Sequence, residues 1–409
     1  MSSLKNLEKL IFILKIIILS PLIILIILVY PILKIKIFEM ETRAIGHMAL
    51  PMEIFASEIK EKIHNNKRTI YLWFPNKKIA NSFLFKKWKE NFIVLPRIIL
   101  EPIYLLLKNK KFIKIGKYFL TPYRHWKDMK ETNIPWQDKD IYNVLTKTKP
   151  SIIFSKNEID KGNEYLSKFN ISKEDSFVTF FFRNPSYYLD NKIIPSYKVN
   201  LRDQIKLEYY SSVDYLNSIN CKTFLLGNNY PVENKNKNLI YYNQSHYKND
   251  FLDMFLSFHC KYMVASASGI HKNPALNRRS TLVVNFSELF AFNHLDTPYI
   301  PIVIPKKFKS IKGSDLLTYS EVLDLKLSEY HLEDDLNKAG FEIIENTESE
   351  ISDAVKEMEY FNKNNKLLDI SSNELQDKFD EHYYNKFNYK IRHTKISSSF
   401  LKKNKDLFI

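Results

Sequence analysis

Tyr262-Met-Val-Ala-Ser-Ala-Ser-Gly-Ile-His-Lys-Asn-Pro-Ala-Leu276 is the stretch on which the reading of the chain turns. An apolar run gives way to small residues, one glycine and then a helical pattern. That order predicts a strand, a tight turn and a helix start, the corner where α/β folds hold phosphate groups. Ser266, Ser268 and Gly269 keep the turn slim enough for backbone N–H groups to face a ligand, and Lys272 adds a point charge from the first helical turn. An anionic, nucleotide-like ligand fits this pattern. An ordinary strand-to-helix corner fits it too, and a single glycine does not separate the two readings.

The flanking sequence repeats the strand-helix period. Phe177-Val-Thr-Phe-Phe-Phe182 reads as a strand that ends on Arg183, and Arg202-Asp-Gln204 leads an amphipathic helix through about residue 219. Lys222-Thr-Phe-Leu-Leu-Gly227 follows as a strand, residues 249–260 as a helix and Ser280-Thr-Leu-Val-Val-Asn285 as another strand. In such a doubly wound series Arg183, Gly227, Gly269 and Asn285 all fall at the edge where ligands bind. Residues 350–360 form a further helix, and a polar, lysine-rich tail follows.

The first half has the same rhythm. Lys34-Ile-Lys-Ile-Phe-Glu-Met-Glu41 alternates as a strand does, and a helical pattern runs from Arg43 to about residue 63. Arg68-Thr-Ile-Tyr-Leu-Trp-Phe74, a helix at 79–92 and a short strand Ile93-Val-Leu95 come next. Strands alternating with helices imply a parallel sheet. The aromatic stretch at 121–136 has no clear period and reads as an acceptor-holding loop or a packed connection. Asp138-Lys-Asp140 matches the D-x-D that chelates a metal-bound diphosphate in some sugar transferases, but acidic residues also favour a helix start, and that reading is adopted.

Ahead of all this, residues 10–33 are almost continuously apolar, with Lys15 as the only charge. About 20 such residues suffice to cross a bilayer. No small-residue cleavage site follows, so a retained membrane helix is expected, and Pro21 and Pro31 leave open a segment half-buried in one leaflet.

Composition narrows the function classes. A chain of 409 residues with 45% hydrophobic residues has room for two domains and is not generally disordered. Its 61 Lys+Arg against 46 Asp+Glu give a formal charge of +15, which suits an anionic surface, as does the excess of basic residues at 77–149. No arginine-rich tract, zinc-finger spacing or aromatic RNA-binding signature is present, so nucleic acid is not an expected partner. Cys221 and Cys260 have no metal-ligand spacing, and the ten histidines form no H-x-x-x-H, so no metal is expected.

Several of these pieces occur together and in order: Ile45-Gly-His-Met-Ala49, the run opening on Arg183 and reaching Leu189, Arg202-Asp203 before a helix with paired tyrosines, Asp253 to Leu256, Ser268-Gly269 and Asn285. Ile304-Pro-Lys-Lys307, Leu317-Thr-Tyr-Ser-Glu321 and Glu345-Asn-Thr-Glu-Ser-Glu-Ile351 extend the series. With them the chain resembles a bacterial family of glycosyltransferases attributed to surface-polysaccharide synthesis, over residues 36–360. It departs from the family at Leu225-Leu226-Gly227, where the resemblance leads one to expect Arg-Met-Gly, and in its scarcity of glycine.

The resemblance implies an α/β fold of GT-B type: two Rossmann-like domains facing each other across a cleft, behind an N-terminal membrane helix. Together with the apolar run at 10–33 and the polar tail, this divides the chain into an anchor at 1–33, an acceptor domain at 34–170, a nucleotide-sugar domain at 171–365 and the tail at 366–409. The resemblance also implies metal-independent transfer from a nucleotide-sugar co-substrate, with no cofactor, to a glycan or lipid-linked acceptor. Because nucleotide sugars are made in the cytosol and the expected membrane helix holds the chain at the bilayer, the catalytic part is expected at the cytoplasmic face of the membrane. His47 in the first β-α turn is then the base that deprotonates the acceptor. Arg183, Arg202 and Lys272, with Gly227, Ser268, Gly269 and Asn285, are the donor site, and Glu288 accepts hydrogen bonds from a ribose. The alternative is a non-catalytic Rossmann-like scaffold subunit of a polysaccharide assembly complex.

Overall fold

The computed structural model describes residues 2–63, 68–108, 119, 139–184, 199–204, 208–228, 235–313, 315–365, 367 and 373–408, the first helix with side chains at 14 and from 16 onward. The chain divides into two compact units, residues 1–153 and 154–409.

The first unit opens with a 28-residue helix, α1 (Ser2–Val29), followed by β1 (Lys34–Met40), a single turn α2 (Ile45–Met48) and α3 (Leu50–Lys60). Next come β2 (Thr69–Pro75), α4 (Ser82–Asn91), β3 (Ile93–Val94) and α5 (Arg97–Lys108). The three strands pair in parallel in the order β1-β2-β3. Period-two alternation gives this small sheet two buried faces. On one, Phe38 stacks on Trp73 at 4.2 Å and both meet Phe55 of α3. On the other, Ile37 and Phe74 pack with Leu100, Ile103 and Leu107 of α5 and with Ile26 of α1. The helical pattern expected from residue 43 through 63 is broken at Ala49, whose ψ of −99° separates α2 from α3.

Among the described residues no helix is long and apolar enough to cross a membrane. The C-terminal half of α1 is instead a layer of the first unit, laying Leu19, Ile23, Ile26 and Tyr30 on α5 and the sheet beneath. These positions recur at intervals of three and four, one stripe of a helix.

In the second unit α6 (Lys156–Ser167) precedes β4 (Phe177–Phe181), α7 (Tyr210–Ser218), β5 (Lys222–Leu225), β6 (Leu239–Ile240), α8 (Asp250–His259), β7 (Tyr262–Ser266), β8 (Ser280–Phe286) and β9 (Ile302–Pro305). The chain continues through β10 (Lys307–Ser310), α9 (Tyr319–Asp324), α10 (Glu333–Lys338), β11 (Phe341–Ile344), α11 (Glu348–Asn364), α12 (Asn373–Phe387), β12 (Lys395–Ile396) and α13 (Ser398–Lys403). Seven described strands form one sheet in the order β12-β9-β8-β7-β4-β5-β6. Every pairing in it is parallel. The chain leaves β4 in one direction for β5 and β6, then returns to β7 on the other side of β4, so the strand order reverses between β4 and β7. That reversal is where open parallel sheets bind ligands.

Two expectations change here. The helix expected to start after Gly269 is two single 3-10 turns, Ile270–Lys272 and Pro274–Asn277. Pro274 brings no N–H to continue a ladder, and Arg278 ends the second turn at φ +55°. The segment at 366–409, expected as a polar tail, is folded into the second unit. Phe379, Tyr383, Ile391, Ile396, Phe400, Leu401, Leu407 and Phe408 join its core, and β12 extends the sheet beside Ile302 and Val303. The buried Asp296 carboxylate accepts from the N–H groups of Arg392, His393 and Thr394, which fixes the segment's entry. Its apolar residues are spread thinly among lysines, so average composition hides a core-forming pattern. The unit boundary lies at 153, ahead of α6.

Candidate functional site

At the strand reversal the β4 and β7 ends are tied together: the backbone N–H of Arg183 donates to Ser266 Oγ at 2.6 Å. Parallel pairing puts the C-terminal ends of neighbouring strands on one edge. Arg183 follows β4 there, Gly227 follows β5, Ser268 and Gly269 follow β7, and Asn285 and Glu288 close β8.

The segment 199–204 lies over this edge. It is held to residues 331–333 by backbone bonds from Leu201 N to His331 O and from Glu333 N to Val199 O. Asn200 Oδ1 is its hub, accepting from Arg183 Nη1 at 2.8 Å and from the Arg202 backbone N–H at 3.0 Å. Arg183 Nη1 also stands 3.3 Å from Asp203 Oδ1, both side chains being buried. The helix expected to start at Arg202 begins at Tyr210, because Arg202 and Asp203 are engaged in this turn.

Arg202 faces outward by comparison. Its Nε lies 3.7 Å from Glu288 Oε1, and His331 Nδ1 approaches the same oxygen at 3.9 Å. Glu288, expected on a ribose, is therefore the partner of a cation. Beneath the turn, the buried Lys306 donates to the Asp203 carbonyl at 2.7 Å and stands 3.5 Å from Glu345 Oε1. Desolvation lowers its pKa, against the pull of Glu345 and Asp203. Residues 304–307 entered the sequence reading only through the resemblance. A lysine directly after a strand of buried residues is the signal that marks Lys306 as a buried cation.

Asn285 is buried with φ at +53°, a left-handed conformation that asparagine tolerates better than most residues. It trades hydrogen bonds with Asn346: Asn285 N donates to Asn346 Oδ1 at 2.7 Å and Asn346 N to Asn285 Oδ1 at 2.6 Å. Its side-chain oxygen is thereby committed to the fold, leaving the amide Nδ2 buried without a partner among the described residues.

The turn after β7 is not the open cradle its sequence suggests. Ser268 N–H donates to His271 Nδ1 at 2.9 Å, so one of the amides expected to face a phosphate is satisfied internally. Gly269 has φ −62° and ψ −39°, ordinary right-handed values that any residue adopts. Ser268 Oγ is buried with no partner among the described residues, and Lys272 is half-buried at the end of the first 3-10 turn. Gly227 does need to be glycine, with φ at +108°.

In the first unit His47 lies in α2, half-buried, directly after the β1 edge. That edge is charged. Arg43 forms a two-pronged pair with Glu41, at 2.8 Å and 2.6 Å, and Arg97 pairs with Glu101 and approaches Glu39 at 3.6 Å. Burial raises the Glu39 pKa, against the neighbouring Arg97.

Of the D-x-D, Asp140 accepts from the N–H groups of Val144 and Leu145 at 2.7 and 2.9 Å, a cap on a short 3-10 turn. Asp138, the aromatic stretch at 121–136, and Tyr187 and Leu189 of the resemblance lie outside the described residues.

No protein-family model matches the chain, and no curated protein does. Among solved structures it is similar to the glycosyl transferase family 9 protein of Veillonella parvula, with 11% identity over 72% of this chain and 90% of that one, at a TM-score of 0.42. It is also similar to the ADP-heptose lps heptosyltransferase II of E. coli, with 13% identity over 61% and 84% and a TM-score of 0.34. The heptosyltransferase WaaC of E. coli, solved with ADP, gives 10% identity over 66% and 91% and a TM-score of 0.33.

Proposed function

We propose that this chain is a GT-B-like glycosyltransferase that moves a sugar from a nucleotide-sugar donor to a glycan or lipid-linked acceptor in surface-polysaccharide synthesis, without a metal ion. The observation that carries the reading is the gathering of Arg183, Arg202 and Lys306 around the strand reversal of a parallel sheet. Loss of a nucleoside diphosphate needs fixed positive charge at the departing phosphates. Arg202 is the cation that meets the diphosphate, since its carboxylate partner is beyond hydrogen-bond length. Arg183 and Lys306 hold the 199–204 turn that presents it. Gly227, Ser268, Lys272 and Asn285 line the same edge of the sheet, and Glu288 tunes Arg202. His47 serves as the base on the acceptor, and the catalytic units stand on the cytoplasmic face, where nucleotide sugars are made.

Calorimetry of the full chain against UDP, GDP, ADP, CMP and their sugars tests this. One nucleotide class binds, Arg202→Ala loses it, and His47→Ala abolishes transfer while binding persists. Loss of both binding and transfer in His47→Ala, or of neither, counts against the base. A second reading, a non-catalytic scaffold subunit, is favoured by the carboxylates that already accompany both arginines. Nucleotide binding without turnover, or no binding by the folded chain, supports it.

A further inference from the structure

A helix that is apolar on every side needs an apolar neighbour on every side. Successive residues of α1 advance by about 100°, so Leu19, Ile23, Ile26 and Tyr30 form one stripe, and Leu14, Ile17, Ile18, Ile24, Leu25 and Leu28 share the opposite side. The first stripe rests on the first unit's own core. The second is exposed, with Ile17 at 61%, Ile18 at 74% and Leu28 at 69%. Ile32, past the end of α1, and Ile98 and Leu105, seven apart on α5, add further exposed apolar groups to this part of the unit.

We infer that this outer face of α1 lies in the acyl region of one bilayer leaflet, so that the chain is held at a membrane from one side without crossing it. Three observations select a bilayer as the occupant. The face carries no unmet polar group among its described residues: the Ser20 hydroxyl donates to the Ile17 carbonyl at 2.7 Å, as hydrocarbon requires. Exposed Lys34 follows α1 and exposed Lys108 ends α5, and the sequence carries Lys5 and Lys9 near its start, charges that suit phosphate headgroups.

The length of free helix sets the third constraint. The residues from 19 to 30 are fixed along protein, which leaves the run from 10 to 18, apolar but for Lys15, about 14 Å of helix, against a hydrocarbon core of about 30 Å. This inference deepens the membrane part of the reading above, and its test uses neither donor nor activity, so either can fail alone.

The experiment adds the full chain, carrying an N-terminal epitope, to preformed vesicles of phosphatidylcholine with or without phosphatidylglycerol, followed by flotation and external protease. The chain floats with the anionic vesicles, and the epitope and body are both cut from outside. In Ile18→Glu/Leu25→Glu the floating fraction falls by about tenfold or more, with an unchanged circular-dichroism melt. An epitope shielded from protease would overturn the one-leaflet placement in favour of a spanning helix. No flotation, or a vesicle-independent dimer that the double variant abolishes, would overturn the bilayer as occupant.

Discussion

Arg202 and Glu288 are paired without being hydrogen-bonded: Nε and Oε1 stand 3.7 Å apart, with Arg202 about one-third exposed. A diphosphate offers shorter, charge-assisted bonds and would displace the carboxylate. Glu288→Gln removes the competitor and keeps the shape. It should tighten nucleoside-diphosphate binding by roughly two- to fivefold, in line with the ~0.2–1 kcal/mol of an exposed pair. Arg202→Ala should weaken it by about tenfold or more. Titration calorimetry reads both, and equal affinity in all three proteins would remove Arg202 from the site.

The Asn285 and Asn346 clasp yields a prediction about stability. Asn285→Gly keeps the left-handed backbone and loses the acceptor of a buried N–H, at a cost of about 1–3 kcal/mol. Asn285→Ala adds the ~1 kcal/mol of a Cβ at positive φ. Urea unfolding should therefore rank parent, glycine and alanine in that order. Alanine more stable than glycine would mean that the backbone conformation is not held at this position.

Asp253, in the first turn of α8, has its pKa pushed up to about 6 by burial, with Tyr242 and Lys248 pulling the other way. The folded state then binds more protons than the unfolded chain between about pH 4 and 6, so this group's stabilising contribution falls as pH rises through that window. His259 on the same helix is depressed to about 4 by burial. It acts with the opposite sign from about pH 4 to 6.5, so the difference between variant and parent is the clean readout. Asp253→Asn mimics the protonated carboxyl and should raise Tm by roughly 2–4 °C at pH 7. The gain should shrink toward zero near pH 4. A gain that is flat across this range would show that Asp253 does not titrate there.

How far the sequence could be read follows from what each signal measures. Strand periodicity depends on local burial, and Phe177 to Phe182 and Ser280 to Asn285 fall where alternation and apolar runs put them. The edge that gathers Arg183, Gly227, Ser268 and Asn285 follows from parallel order alone. Partners distant in sequence leave no local trace. Glu288 met Arg202 instead of a free edge, Asn285 turned its oxygen to Asn346, and Lys306 rose under Asp203 only once the sheet was formed. The tail misled for a related reason: Phe379, Phe400 and Phe408 are too far apart among lysines to register as a period.

Two scarce glycines separate packing from conformation. A Cβ on Gly162 of α6 would lie 2.0 Å from the Phe255 ring of α8, whereas Gly227 combines φ +108° with a Phe181 contact at 3.0 Å. Gly162→Ala must therefore push an aromatic ring aside, an overpacking cost of about 1–3 kcal/mol. Phe255→Leu in the same chain should return part of that loss, a coupling of about 0.5–3 kcal/mol in a double-mutant cycle. No smaller side chain at Phe181 relieves a backbone held at positive φ, so Gly227→Ala should stay destabilised in a Phe181→Leu background. Chemical denaturation of the six variants and the parent measures both cycles. Rescue at Gly227 to the same degree as at Gly162 would show that ring contact, not backbone conformation, selects glycine at this edge of the sheet.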